Sequence, residues 1–316
     1  MCEIGVVLLL YNRTKCLDHL LERMNDHTWL DVHVFIDGAR TQDDIRIQSI
    51  IKSKLRLHPN FKIHLSESNV GLKASVQRAV QFISSLYSKF IVLEDDLILS
   101  TSFFPFLRET LIKYESDKSL AAISGFTYNI PILNKFNVLY SWPINSSWGW
   151  ASWSSRWQNF SWDLNVELKE FQSTGRRLKE INGWVGREYE NQLGDNLRGK
   201  KSTWVIIRQI FIVRTGMRVL HPSKSLVKNV GGGLDSTNSK YALARGSIKD
   251  FDYCDVQEVN SQLLYYWIKL FFFLKFSLFT KVINRFIYYV LYCSSTLSKM
   301  YRKGYKSIER NSETIS

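Results

Sequence analysis

The 316-residue sequence predicts an α/β protein: a mostly parallel sheet with helices on both faces, followed by a basic and aromatic helical tail. Three observations carry the prediction. Short continuous apolar runs such as Ile4–Leu10 and residues 90–93 have strand length, and runs of this kind lie inside sheets covered on both sides. Segments with helical apolar spacing alternate with them, which is the pattern of strand–helix–strand units. Polar clusters close several of the apolar runs, and open sheets of this class bind ligands at the carboxyl ends of their strands.

The elements follow in order. Ile4–Leu10 is the first strand, and residues 17–24 have helical spacing. Residues 32–36 form a second strand that ends in Asp37-Gly38. Residues 43–55 carry Ile45, Ile47, Ile50 and Ile51 and form a helix, and residues 61–65 a third strand. Leu72, Val76, Ala79, Val80 and Ile83 place a helix over residues 72–87, and the strand at 90–93 follows. Tyr11-Asn12-Arg13, Asp37-Gly38 and Glu94-Asp95-Asp96 then stand at three strand ends, and they converge on one crevice.

Glu94, Asp95 and Asp96 are adjacent like charges that require a compensating cation. Mg²⁺ or Mn²⁺, held by one or two carboxylates and by substrate phosphates, meets that need. A solvated acidic turn is the plain alternative. Beyond Ser124, Trp142, Trp148, Trp150, Trp153, Trp157 and Trp162 fall within 21 residues. Most of these rings are read as packed core, with some available as a platform for the apolar face of a sugar. Asn229-Val230-Gly231-Gly232-Gly233 matches no phosphate-binding or dinucleotide motif and is read as a flexible loop.

The net charge of +13 is uneven: from residue 263 to 316 there are nine Lys/Arg against two Glu, which places +7 there. This stretch mixes aromatic and aliphatic residues with Lys269, Lys275, Lys281 and Arg285. No charge-free window reaches the roughly 20 residues of a spanning helix. The stretch reads as an amphipathic segment on an anionic membrane surface, or as a helical pair packed on the domain. Nucleic acid is not an expected partner, because the basic residues are interleaved with bulky apolar ones. Cys2, Cys16, Cys254 and Cys293 form no Cys-x-x-Cys pair, so reduced thiols are expected. The first apolar run is too short for a secretory segment, so the expected location is cytoplasmic, peripheral on the inner face of the cell membrane.

With these motifs in place, the chain resembles nucleotide-sugar glycosyltransferases of the GT-A fold, whose sheet is Rossmann-like. It is nearest to bacterial surface-polysaccharide glycosyltransferases and more distantly similar to the Golgi N-acetylglucosaminyltransferases. The resemblance runs over residues 4–240 through Val7 to Arg13, Phe35-Ile36-Asp37-Gly38, Asn69-Val70-Gly71-Leu72-Lys73 and Val92 to Asp96. It continues through Ser147-Trp148-Gly149-Trp150-Ala151-Ser152-Trp153 and the stretch from Pro222 to Asp235. It implies residues 1–125 as the nucleotide-sugar half of the domain and 126–255 as the acceptor half, with 256–316 as the membrane-associating tail.

The resemblance also implies roles. Arg13 and Asp37 would hold the nucleotide, Asp37 accepting from uracil in a UDP-sugar. Asn69, Gly71 and Lys73 would lie near the ribose and diphosphate. Glu94 and Asp95 would contact the donor, Asp96 would ligate Mn²⁺ or Mg²⁺, and Trp148, Gly149 and Trp150 would border donor sugar and acceptor. The implied activity is metal-dependent, inverting transfer of a hexosyl or N-acetylhexosaminyl group. The acceptor would be a hydroxyl of a glycan or lipid-linked glycan in capsule or O-antigen synthesis. The pattern breaks where the family's usual catalytic base stands, since this chain has Ser202 there. Asp195 is the nearest acid, and Asn238 replaces a frequent His. A catalytically silent relative that binds nucleotide-sugar or glycan is therefore the alternative.

Overall fold

The computed structural model describes residues 4–130, 133, 136–176, 188–231, 266 and 268. Its first half follows the apolar pattern: β1 (Ile4–Leu10), α1 (Leu17–Asn25), β2 (Asp31–Ile36), α2 (Gln42–Leu55), β3 (Lys62–Leu65), α3 (Gly71–Leu86) and β4 (Lys89–Glu94). Strands β3, β2, β1 and β4 lie side by side, all parallel. Alternate residues of β1 feed opposite faces. Val6, Leu8 and Leu10 pack with Leu17 and Leu20 of α1 and Ile51 of α2. Val7 and Leu9 pack with Val76, Ala79, Val80 and Ile83 of α3. A strand covered by helices on both sides has to be apolar at every position, which is why Ile4–Leu10 is unbroken.

The second half contributes β5 (Leu97–Leu99), α4 (Phe103–Lys113), β6 (Leu120–Ser124), β7 (Leu139–Trp142), β8 (Trp150–Trp153) and α5 (Leu164–Ser173). It then adds α6 (Glu188–Leu197), α7 (Trp204–Thr215), β9 (Arg218–Pro222) and β10 (Val227–Asn229). The eight-stranded sheet runs β3-β2-β1-β4-β8-β6-β9-β7, with β8 antiparallel to both β4 and β6. The sheet thus continues across the expected division at 125/126. β5 and β10 form a separate antiparallel ribbon that pairs Leu97 with Asn229.

The tryptophan-rich segment is mainly core. Trp142, Trp150 and Trp153 are almost fully buried. The Trp153 indole donates to Leu111 O (3.0 Å) and that of Trp157 to Ser152 Oγ (3.0 Å). The buried Arg208 guanidinium lies 3.8 Å from the Trp157 ring centre and donates to two backbone carbonyls, so its charge is dispersed over dipoles and ring faces.

Most of the tail lies outside the described residues, as do Asn238 and the stretch from Gly232 to Asp235. Ile268 is described. It is completely buried among Ile130, Leu133, Tyr140, Trp142 and Ile144, so at this residue the chain packs on the domain and not on a membrane. Among the described residues no helix is long and apolar enough to cross a membrane.

Candidate active site

Because β2, β1 and β4 are neighbours, their carboxyl ends deliver Asp37, Tyr11 to Arg13 and Glu94 to Asp96 to one edge of the sheet. The convergence expected from the sequence is present. Arg13 Nη1 donates to Asp96 Oδ2 at 2.8 Å and lies 3.8 Å from Asp95 Oδ1. Asn229 Nδ2 donates to the other Asp96 oxygen at 2.8 Å, and Val230 N–H donates to the Asp96 carbonyl at 2.9 Å. Gly231 N–H in turn donates to Asn229 Oδ1 at 2.9 Å. A Cβ on Gly231 would collide with Asp96 and with the Arg13 guanidinium. The glycine-rich segment was read as a flexible loop. At Gly231 that is corrected: the glycine is required by close backbone approach to the acidic cluster.

Three carboxylates here face one guanidinium. Burial, then repulsion from Asp96 and Asp95, raises Glu94 well above the ordinary carboxylate range. Burial and the Asp96 charge push Asp95 up to about 7, against the pull of Arg13. Asp96 is raised by burial, although Arg13 and Asn229 oppose the rise. Full ionisation of the cluster is therefore unfavourable with Arg13 as its cation, and its oxygens are hard ligands of the kind Mg²⁺ and Mn²⁺ take. Among the described residues no three His, Cys, Asp or Glu side chains are arranged to hold a metal ion by themselves. The donor set fits a cation that takes one or two protein carboxylates and completes its shell from phosphate and water.

Asp37 is mostly buried, and its carboxylate is partly engaged by backbone donors. Its Oδ1 accepts from Gly38 N–H and Val70 N–H, and its Oδ2 from Gly71 N–H, each at 2.9 Å. These bonds anchor the start of α3 to the end of β2, and Oδ2, with one donor, keeps acceptor capacity beyond that positioning role. Gly71, at φ +79°, supplies the turn into α3. Asn69 bridges the same loop, donating to Gly38 O and accepting from Arg40 Nε, each at 2.8 Å.

Sequence reasoning missed Asp44. It accepts from Tyr11 Oη (2.8 Å), Asn12 Nδ2 (2.7 Å) and the N–H groups of Arg40 and Thr41, which hold it far below the usual carboxylate range. Asp44 thereby ties the segment leading to Arg13 to the start of α2. The signal was legible, since Thr41 and Asp44 have capping-box spacing and form that box. Asn229 was missed as well. It lies 133 residues from Asp96, and no local pattern links the two.

The remaining predicted residues divide. Lys73, on the first turn of α3, makes no hydrogen bond or ion pair among the described residues and lines a cleft of about 440 Å³. Trp148 is partly buried, edge-on to Phe126 (ring centres 4.6 Å). Gly149, at φ +59°, lies against Phe103 and Val227, directly beneath the ribbon that carries Asn229. Trp150 is corrected: it is 2% exposed and packed among Phe90, Trp157 and Trp204, so it borders no substrate. Asp195, on α6, is held by Arg198 Nη2 at 3.0 Å, and Lys201 Nζ lies 3.8 Å away. Lys200 and Lys201 N–H both donate to the Asp195 carbonyl, so the loop does fold back on this residue. Ser202 is exposed beside it.

No family model matches the chain, and no curated protein matches it. Solved structures do. A mannosyltransferase from Pyrobaculum calidifontis, in complex with GDP-Man and Mn²⁺, is 15% identical over 50% of this chain and 47% of its own, with a TM-score of 0.38. S. aureus TarS (residues 1–349) is 14% identical over 48% of this chain and 47% of its own, with a TM-score of 0.35. GalNAc-T7 with UDP, GalNAc and Mn²⁺ is 13% identical over 83% of this chain and 45% of its own, with a TM-score of 0.42. The chain thus spans under half the length of each, and similarity at this level carries neither substrate nor mechanism across.

Proposed function

We propose that this chain is a metal-dependent GT-A-type glycosyltransferase that moves a sugar from a nucleotide-sugar, UDP-linked, to a hydroxyl of a glycan or lipid-linked glycan in surface polysaccharide synthesis. One observation carries the reading: the Arg13, Asp95 and Asp96 side chains meet at the carboxyl edge of the sheet, roofed by Asn229 and Gly231. Asp96, with Asp95 beside it, would hold Mn²⁺ or Mg²⁺. Bound there, a divalent cation neutralises the charge that develops on the departing diphosphate.

The chain's own groups do the rest. Arg13 brings a guanidinium suited to paired phosphate oxygens, and it can turn from Asp96 toward them. Asp44 and Asp37 fix the two loops that border the donor. The incoming hydroxyl has to lose its proton as it attacks, and a carboxylate on the opposite face gives single displacement with inversion. Asp195 is the acid nearest to Ser202 in sequence, and its Oδ2, which Arg198 does not bond, would accept the proton. Ser202 cannot serve as a base at neutral pH.

Ser202 at the position of the usual base, and Asn238 in place of a frequent His, favour a second reading, a catalytically silent relative that binds nucleotide-sugar without turning it over. Incubating the protein with UDP- and GDP-sugars and Mn²⁺, with and without oligosaccharide acceptors, separates the two. Release of nucleoside diphosphate supports the enzyme. Nucleotide-sugar binding without release supports the silent relative.

A further inference from the structure

The cleft beside α3 is separate from the acidic cluster but adjoins the loops that frame it. Lys73 and Gln77 form one wall, a turn apart on α3, while the α5 start contributes Trp162, Asp163, Leu164 and Asn165, and the α6 end contributes Asn196 and Leu197. α3 begins at Gly71, whose N–H is bound by Asp37 at the edge of the sheet, so this wall starts where the proposed donor site ends. At the other rim, Asn196 Oδ1 accepts from Thr203 N–H (2.7 Å), and Asn196 Nδ2 donates to Thr203 Oγ1 (2.8 Å). That pair ties the end of α6 to the residue just before α7.

The chemistry of the lining is specific. Trp162 stacks one face on Trp157 (ring centres 5.6 Å, 22° between planes) and stays partly exposed. The side chains of Lys73, Gln77 and Asn165 make no hydrogen bond or ion pair among the described residues. Asp163 is already engaged, capping α5 through Asn165 N–H and Val166 N–H. The cleft thus offers a supported aromatic ring, uncommitted amide donors and acceptors, and one ammonium. A pyranose ring matches this set, with an apolar face to lie on an indole and a rim of hydroxyls to meet amides and the ammonium.

We infer that this cleft is the subsite for a glycosyl residue of the acceptor, with Trp162 as its platform and Gln77 and Asn165 as determinants of specificity. The inference rests on the proposed transferase reading and assigns that reading its acceptor side.

The test uses the full chain with UDP and Mn²⁺, and the methyl glycosides of N-acetylglucosamine, galactose and mannose as probes. Saturation-transfer NMR reads glycoside binding, and calorimetry reads UDP binding. At least one glycoside is expected to receive saturation from the wild type. A Gln77→Ala/Asn165→Ala double variant, which removes no internal hydrogen bond, should weaken that glycoside about tenfold. Trp162→Leu should abolish its signal, whereas Trp162→Phe retains part of it. UDP affinity should stay within about twofold in all variants. Absence of saturation transfer from all three glycosides would overturn the subsite. So would an equal loss of UDP affinity in the double variant, because the cleft would then take the nucleotide. Glycoside binding by a wild type that binds no UDP would support the subsite while overturning the transferase reading.

Discussion

The two ends of the parallel strands each carry a cluster of titratable side chains, and the clusters balance their charge differently. At the amino end, Asp31 Oδ2 accepts from Tyr87 Oη (2.5 Å) and from Lys62 Nζ (2.7 Å). His33 sits between His64 (3.0 Å) and Tyr87 (3.2 Å), and burial pushes it down to about 4. One carboxylate meets one ammonium, the imidazoles are neutral, and the charge closes. At the carboxyl end, Glu94, Asp95 and Asp96 share Arg13, and the carboxylates are raised. Burial is common to both ends, so burial alone does not mark a site. Three carboxylates sharing one cation at a strand end are what distinguish the carboxyl end, and the proposed site rests on them.

The sharpest break to this contrast is removal of Asp96. Asp96→Ala should lower the rate of nucleoside diphosphate release by on the order of 10²–10³-fold, measured with the preferred donor and Mn²⁺. A rate within twofold of wild type would make the acidic end as structural as the amino end.

The amino end is tested by acid. His33 has a folded-state pKa below its unfolded value of 6.5, so the unfolded chain binds the proton more readily. Its contribution is complete above pH 6.5 and is lost as pH falls through about 4, a loss on the order of 3 kcal/mol. Urea unfolding across that window should show the decline, and His33→Gln should flatten part of it. His221, also lowered to about 4 by burial, supplies a parallel slope, so the difference between variant and wild type isolates His33.

Asp95 has the opposite sign. Its folded pKa is raised from 3.8 to about 7, so its favourable contribution is complete below 3.8 and is lost as pH rises through 7. Asp95→Asn should therefore raise Tm by a few degrees at pH 8 in EDTA, read by calorimetric scanning, and the gain should shrink when Mn²⁺ and UDP are added. The smallest effect belongs to Ser202→Ala. Its exposed hydroxyl is no base, and donor turnover should stay within about twofold.

The legible part of the molecule was its repeating part. Strands at Ile4–Leu10 and residues 90–93 and the helices between them follow from apolar period alone, and parallel order places their carboxyl ends together. Trp150 was misplaced because sequence shows ring identity but not which face of β8 meets α7. The positioning role of Asp37 was not legible, because its three backbone donors come from two loops, Gly38 beside it and Val70-Gly71 far along the chain. The β5–β10 ribbon, and with it Asn229 and Gly231, depends on a pairing across 128 residues or more that no local signal records.

The most direct measurement is calorimetric titration of UDP and GDP into wild type and Asp96→Ala, each in Mn²⁺, Mg²⁺ and EDTA. UDP binding to wild type is expected to require the divalent cation and to disappear in Asp96→Ala. Absence of nucleotide binding under every condition, or binding indifferent to both metal and Asp96, would contradict that expectation and return the acidic triplet to an ordinary turn.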